Sequence, residues 1–261
     1  AYRDAILEEH THEMVPQGKR RPAPLVGSFA DSIWLAQYPR NPSQTLSDLA
    51  FSIAIQLRYN IDPLETCNLK CPFCGEKISL RHCLVCMKAN TGPIVTRHNT
   101  ITRIIGCALA SRGTVAQYEK KPVNHKDVPH IPDITYQKDV EIHYVDVAVT
   151  YAEPTGRRLR DVVSRKHSAY RSSKGTVPNN LHVVSFDNNA HIGTGVFDYL
   201  RSIGCTGAMV KAMQRCILST NDKCFRKVMG RIAEGKNNCK LNGNKTLIIP
   251  LNQIDDMLAL N

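Results

Sequence analysis

Long apolar runs are missing from this 261-residue sequence. The longest, "LAFSIAIQL" near 49–57 and "RIIGCALA" near 103–110, fall far short of the roughly 20 residues a helix needs to cross a bilayer. A soluble chain with no membrane partner is expected. No basic segment leads into an apolar stretch of the secretory kind, so an intracellular location is expected as well. Internal repeats are absent, which argues against a solenoid. Acidic residues are scarce: 23 Asp and Glu stand against 34 Lys and Arg, for a net charge of +11. That imbalance favours a polyanionic partner such as nucleic acid. A hydrophobic content of 42% is enough for one large domain or two small ones, and disorder is not the default.

Cysteine, by contrast, is plentiful and clustered. Of ten cysteines, five lie between Cys67 and Cys86, in "TCNLKCPFCGEKISLRHCLVCMK". A chain of this size does not need disulfide staples, and clustered thiols without a secretion signal point to metal in a reducing compartment. Cys71 and Cys74 form C-x2-C with Pro72 between them and Gly75 after, a knuckle that brings two thiolates to one tetrahedral ion. The second pair is open: His82 with Cys86, or Cys83 with Cys86. Cys67 is a spare. Either choice completes four ligands for a closed, structural Zn²⁺ site that does no chemistry itself.

The order of elements is informative. Residues 1–60 read as an N-terminal arm and helix, with Ser47 as N-cap and Pro63 as the stop. Residues 61–95 read as the zinc-knuckle lobe, 96–190 as a core, and 191–261 as a helical extension covering the sheet. Within the core, "TRHNTITRIIGCALASRG" reads as a helix, "TVAQYEK" as a strand and "IPDITYQKDVEIHYVDVAVTY" as a hairpin. "GRRLRDVVSRKHSAYRSSKG" then reads as a helix and "NLHVVSF" as a strand. The sequence is α, β, β, β, α, β. A helix between the third and fourth strands lets those two run parallel in an otherwise antiparallel sheet.

Two aspartates interrupt the hairpin. With the turn at Lys138 and Asp139, Asp133 pairs with Tyr144 and lies diagonal to Asp146. Any even-numbered loop keeps both carboxylates on one face, close enough to share a divalent cation. The plain alternative is a strand-starting Asp133 and a solvated Asp146. A lysine commonly completes such a site, and Ala148 stands two residues after Asp146, where a strand lysine would lie. The following helix offers one instead. Lys166 falls among Leu159, Val162, Val163, Ala169 and Tyr170 on its apolar face, either reaching inward or merely covering apolar surface. Residues 157–174 hold seven Lys and Arg against one acid. Arg157, Arg160, Arg165 and Arg171 are its candidate DNA-backbone contacts.

The cysteine knuckle, "RHNTI" at a helix start, and P-D-x12-D followed by a helical lysine and Tyr170 together resemble one family. It is the restriction-enzyme-like endonuclease domain of non-LTR (LINE) retrotransposon polyproteins, carried C-terminal to the reverse transcriptase. The resemblance covers about residues 55–190. It implies an α/β PD-(D/E)xK restriction-endonuclease-like core with a mixed four-stranded sheet flanked by helices. The implied activity is Mg²⁺- or Mn²⁺-dependent nicking of double-stranded DNA in the nucleus. Nicking frees a 3′ hydroxyl that primes reverse transcription, and the element's RNA is a second candidate partner. Position by position, Asp133 and Asp146 match the metal carboxylates, Lys166 the relocated lysine and Tyr170 its neighbour. Arg97 and His98 match supporting or DNA-contacting residues. Cys71, Cys74, His82 and Cys86 match the zinc ligands, with Cys83 as alternative fourth ligand. The family often spaces its last pair H-x4-C, whereas this chain has H-x3-C. The competing reading is a zinc-containing nucleic-acid-binding module with a catalytically inactive nuclease-like fold.

Overall fold

Ser47 opens the first described helix as the sequence leads one to expect: its hydroxyl accepts from the Ala50 N–H and donates to Asp222, far along the chain. The structure, a computed structural model, describes residues 45–65, 67–119, 130–151, 157–171 and 177–239. The basic arm lies outside them. Helix α1 spans Asp48–Arg58 and ends ahead of Pro63, through Asn60 in the left-handed region at φ +52°. The knuckle follows, then α2 (Leu80–Val85), capped by Ser79. Asp62 ties loop to helix, because its carboxylate accepts from the N–H groups of Leu64 and Leu80.

Helix α3 runs Met87–Ala110, starting about ten residues earlier than "RHN" suggests and passing through Pro93. Proline forfeits one backbone hydrogen bond. Tertiary contacts outweigh that loss: Ala89 and Asn90 are buried against the knuckle, and Asn90 Nδ2 donates to the Cys83 carbonyl at 2.7 Å. This one helix therefore crosses the expected boundary at residues 95 and 96.

The remaining elements are β1 (Ala116–Tyr118), β2 (Ile134–Lys138), β3 (Glu141–Thr150), α4 (Arg157–Ala169), β4 (Leu181–Asp187), α5 (Val196–Ser202) and α6 (Gly207–Cys239). The protein is α/β, with a four-stranded mixed sheet in the order β1-β2-β3-β4 flanked by helices. Its first two pairings are antiparallel and the third is parallel. Helix α4 makes the crossover that the third pairing requires.

The hairpin register differs from expectation by two residues. Lys138 pairs with Glu141, so the turn is Asp139–Val140, with Asp139 at φ +55° and Val140 fully in solvent. Ile134 pairs with Val145. One step further along this ladder, Asp133 stands opposite Asp146 rather than Tyr144. A shift of two conserves the face of every side chain, which a shift of one would reverse.

Hydrophobic packing forms on both sides of the sheet. Ile101 and Ile105 of α3, Val145, Val147, Val184 and Phe186 of the sheet, and Met213 and Ile217 of α6 make the main core. Tyr144, Leu181 and Val183 meet Tyr170 and Val163 on the α4 side. A further cluster joins α1 and the knuckle to Phe225, Val228 and Met229, so α6 serves two cores with one continuous helix.

On the α3 side, His182 of β4 stacks between His143 of β3 and Tyr199 of α5, with His143 Nδ1 3.1 Å from His182 Nε2. Burial, reinforced by His143, pulls the His182 pKa down to about 4. Its unfolded value is near 6.5. The unfolded chain thus binds the extra proton first, and this contribution to stability is present above about pH 6.5 and lost as the pH falls towards 4. Thermal melts across that window should show the midpoint declining, and His182→Gln should make the decline shallower. An unchanged pH slope in the variant would exclude His182 as its source.

Candidate functional site

The knuckle folds around two turns of backbone. Cys71 N–H donates to the Glu76 carbonyl and Gly75 N–H to the Cys71 carbonyl, with Gly75 at φ +82°. This places Cys71 and Cys74 beside α2, which presents His82, and beside the N-terminus of α3, where Cys86 is the cap residue. The ligand atoms of Cys71, Cys74, His82 and Cys86 all lie within 4.8 Å of one another. The Cys86 sulfur is 3.8 Å from both Cys71 Sγ and Cys74 Sγ, and Cys74 Sγ is 3.2 Å from His82 Nε2. Four ligands at Zn–S bonds of about 2.3 Å set tetrahedral sulfurs about 3.8 Å apart, so the donor set fits zinc in both spacing and chemistry. This cluster could hold a metal such as zinc.

Cys83 is separated from it. Its side chain is fully buried in the apolar cluster with Leu80 and Leu84, and burial pushes the thiol up to about 12. A thiol that resists ionisation is a poor ligand. Cys74 differs: a backbone hydrogen bond from Glu76 brings its pKa down. Cys67 packs at the edge of the same apolar cluster and is not one of the four.

A second constellation forms where β2 begins. The Asp133 carboxylate accepts from Val147 N–H at 2.6 Å and from His98 Nε2 at 3.1 Å through the same oxygen, Oδ2. Lys166 Nζ reaches across from α4 to Asp146 Oδ1 at 2.8 Å. Asp146 is buried and Lys166 partly exposed, so the lysine points inward from the helix face it shares with Val162 and Val163. Tyr170, one turn on, is buried with its hydroxyl approaching the same carboxylate. Thus Asp133, Asp146, Lys166, Tyr170 and His98 converge at one end of the sheet.

Their electrostatics are opposed in an orderly way. Burial alone would raise the Asp133 carboxyl, but the His98 and Val147 hydrogen bonds outweigh it and its pKa falls below the usual range. At Asp146 burial prevails over Lys166, helped by the charge of Asp133, and the pKa rises. The Asp133 hydrogen bond raises His98, favouring the imidazolium. Burial, and then Asp146, push Tyr170 up, so its phenol stays protonated. Two carboxylates of unequal proton affinity thus stand together with a lysine and an imidazolium.

Arg97 is placed differently from its neighbour. It is 5% exposed, and its Nη1 donates to Asn188 Oδ1 at 3.2 Å in the turn after β4. From that position it supports the fold. Arg160, Arg165 and Arg171 are exposed on or beside α4, whereas only the backbone of Arg157 is described. The sequence reading missed a ring of residues around Asp133: Asn99, Thr102, Arg103, Tyr118 and Glu119 line a cavity there with His98. The signal for half of it was present, since His98 and Thr102, and Asn99 and Arg103, are spaced one helical turn apart.

No protein-family model and no curated protein matches the chain. Among the described residues, no helix is long and apolar enough to cross a membrane.

Elemental analysis of the purified chain should find close to one zinc. Cys74→Ser or His82→Ala should lower that count and the thermal midpoint together, and Cys83→Ala should leave the count unchanged. Zinc lost from the Cys83 variant but retained by the His82 variant would reverse the assignment of the fourth ligand.

Proposed function

We propose that this chain is a metal-dependent DNA endonuclease of the restriction-like type, nicking double-stranded DNA to free a 3′ hydroxyl. On the same reading it is the endonuclease domain of a non-LTR retrotransposon polyprotein, and the hydroxyl primes reverse transcription of the element's RNA in the nucleus. The observation that carries the reading is the meeting of Asp133, Asp146 and Lys166, from two strands and a helix, at one point.

The residues fit a hard divalent cation by donor type. Two carboxylates stand at the same end of the sheet, Asp133 just ahead of β2 and Asp146 in β3, and Mg²⁺ takes one or two such groups with the rest from water and substrate. When bound, Mg²⁺ or Mn²⁺ would lower the pKa of a water and stabilise charge on the departing oxygen. The protein's own groups do the rest. His98 and the Val147 N–H fix the Asp133 carboxylate in one orientation. Lys166 offsets the Asp146 charge and is partly exposed, able to turn its ammonium towards a phosphate oxygen as negative charge grows there. Tyr170 holds Lys166's turn of helix against Tyr144 and Leu181, which sets the lysine's reach. The exposed arginines at Arg160, Arg165 and Arg171 supply cations for the DNA backbone.

The inactive-module reading draws on a different feature of the same site: each carboxylate already has a cation, His98 on Asp133 and Lys166 on Asp146. Plasmid nicking in Mg²⁺ or Mn²⁺ separates the two. Wild type should nick, and Asp146→Asn should nick at least about a hundredfold more slowly, the scale of several kcal/mol of metal-dependent transition-state stabilisation. Its DNA affinity should be kept. Wild-type protein that binds DNA but never nicks it would support the inactive module, and an Asp146→Asn variant as fast as wild type would refute the catalytic assignment.

A further inference from the structure

Beside the carboxylates lies a cavity of about 410 Å³ that the proposed chemistry leaves unused. Its size is that of a site for one small organic group. One wall is α3, with His98, Asn99 and Arg103; the other is the end of β1, with Tyr118 and Glu119; Asp133 closes the side nearest the hairpin.

Tyr118 is the unusual member. It is a large aromatic residue on an edge strand, 47% exposed. The ring lies across α3 at Gly106, where a Cβ atom would collide with the tyrosine hydroxyl. Gly106 therefore lets the helix and the ring approach closely, while Tyr118 lines the cavity. Glu119 follows at φ +48°, and its N–H donates to the Asp133 carbonyl at 3.2 Å. The main chain turns out of the strand directly opposite Asp133, carrying a carboxylate into the cavity wall.

The chemistry of these groups is specific in kind. An exposed aromatic ring can stack on any nucleobase. The Asn99 amide nitrogen can donate to a base edge while its oxygen lies 3.3 Å from His98 Nδ1, and a glutamate accepts from an exocyclic amine. Arg103 and His98 sit where a sugar-phosphate backbone would enter. A phosphate alone would have no use for Tyr118, and an apolar ligand none for Asn99 and Glu119.

We propose that this cavity receives a single unstacked nucleobase, that of the nucleotide adjoining the phosphate to be cleaved beside Asp133 and Asp146. The location of that phosphate rests on the endonuclease reading; the base-binding role of the cavity does not. Tyr118 supplies the stacking face, Glu119 and Asn99 the edge contacts, and Arg103 the backbone contact. Such a pocket takes the neighbouring nucleotide out of the stack and holds the strand next to the carboxylates.

The test uses the full chain and two single-stranded oligonucleotides of equal length and charge, one with bases and one abasic throughout, with no divalent metal added. Wild type should bind the base-bearing strand about tenfold or more tighter, the effect of losing one base–aromatic stack. Tyr118→Ala should lose most of that difference while keeping its affinity for the abasic strand, and Tyr118→Phe should retain it. Equal affinity of wild type for both strands, a preference unchanged in Tyr118→Ala, or no measurable binding would each overturn the inference. Nicking of duplex plasmid is read separately. Nicking without a Tyr118-dependent base preference sinks the pocket alone, and a Tyr118-dependent preference without nicking sinks the endonuclease reading and leaves the pocket standing.

Discussion

Two carboxylates set close together at one end of a sheet, one buried and one partly so, repel each other and resent their loss of water, so each must be answered by a cation or a proton. Much of the molecule is arranged around that constraint. Asp133 takes its answer from α3, through His98, and Asp146 takes its answer from α4, through Lys166. The two helices lie on opposite faces of the sheet and reach the acidic end from either side. The pairing also explains why the two acids respond unequally: Asp133 has two hydrogen bonds to one oxygen and ionises easily, while Asp146 is more deeply buried and holds a proton more firmly.

The same constraint shows what was legible in the sequence. Period-two alternation placed Asp133 and Asp146 on one face, and the 100° helical step put Lys166 on the inner side of its helix. Those are properties of local geometry. The turn position was not legible, because "QKDVE" offers two adjacent two-residue turns, and Asp139 in the left-handed region selects the later one. The choice moved Asp133 from opposite Tyr144 to opposite Asp146 and left the face unchanged. The start of α3 was hidden for another reason. Pro93 and Gly92 read as helix breakers, and only the contacts of Ala89 and Asn90 with the knuckle, distant information to a local reading, carry the helix through them.

The ligand set shows a similar division. Spacing alone allowed His82 or Cys83 as the fourth ligand, since both lie within reach of Cys86 along the chain. On the short helix α2 the two are neighbours, pointing 100° apart, and one of them must turn into the apolar cluster. Cys83, the more apolar, does so among Leu80 and Leu84, and His82 turns to Cys74. Arg97 and His98 part company in the same way: adjacent in "RHN", one is buried against Asn188 and the other faces Asp133. The cavity by Tyr118 was invisible because its two walls, α3 and β1, meet through the packing of Tyr118 on Gly106, and the pairing of β1 with β2 then brings in Asp133.

Cys86 belongs to the cysteine cluster and is also the cap of α3, and His98 lies twelve residues along that helix. An α-helix advances about 1.5 Å per residue and resists stretching, so the backbone of His98 stands about 18 Å along the axis from that of Cys86, as if marked on a ruler. Whatever fixes the four ligand atoms fixes the zero of that ruler. Oxidation of those thiols would then be felt as a displaced origin at the acidic end, with no side chain there altered.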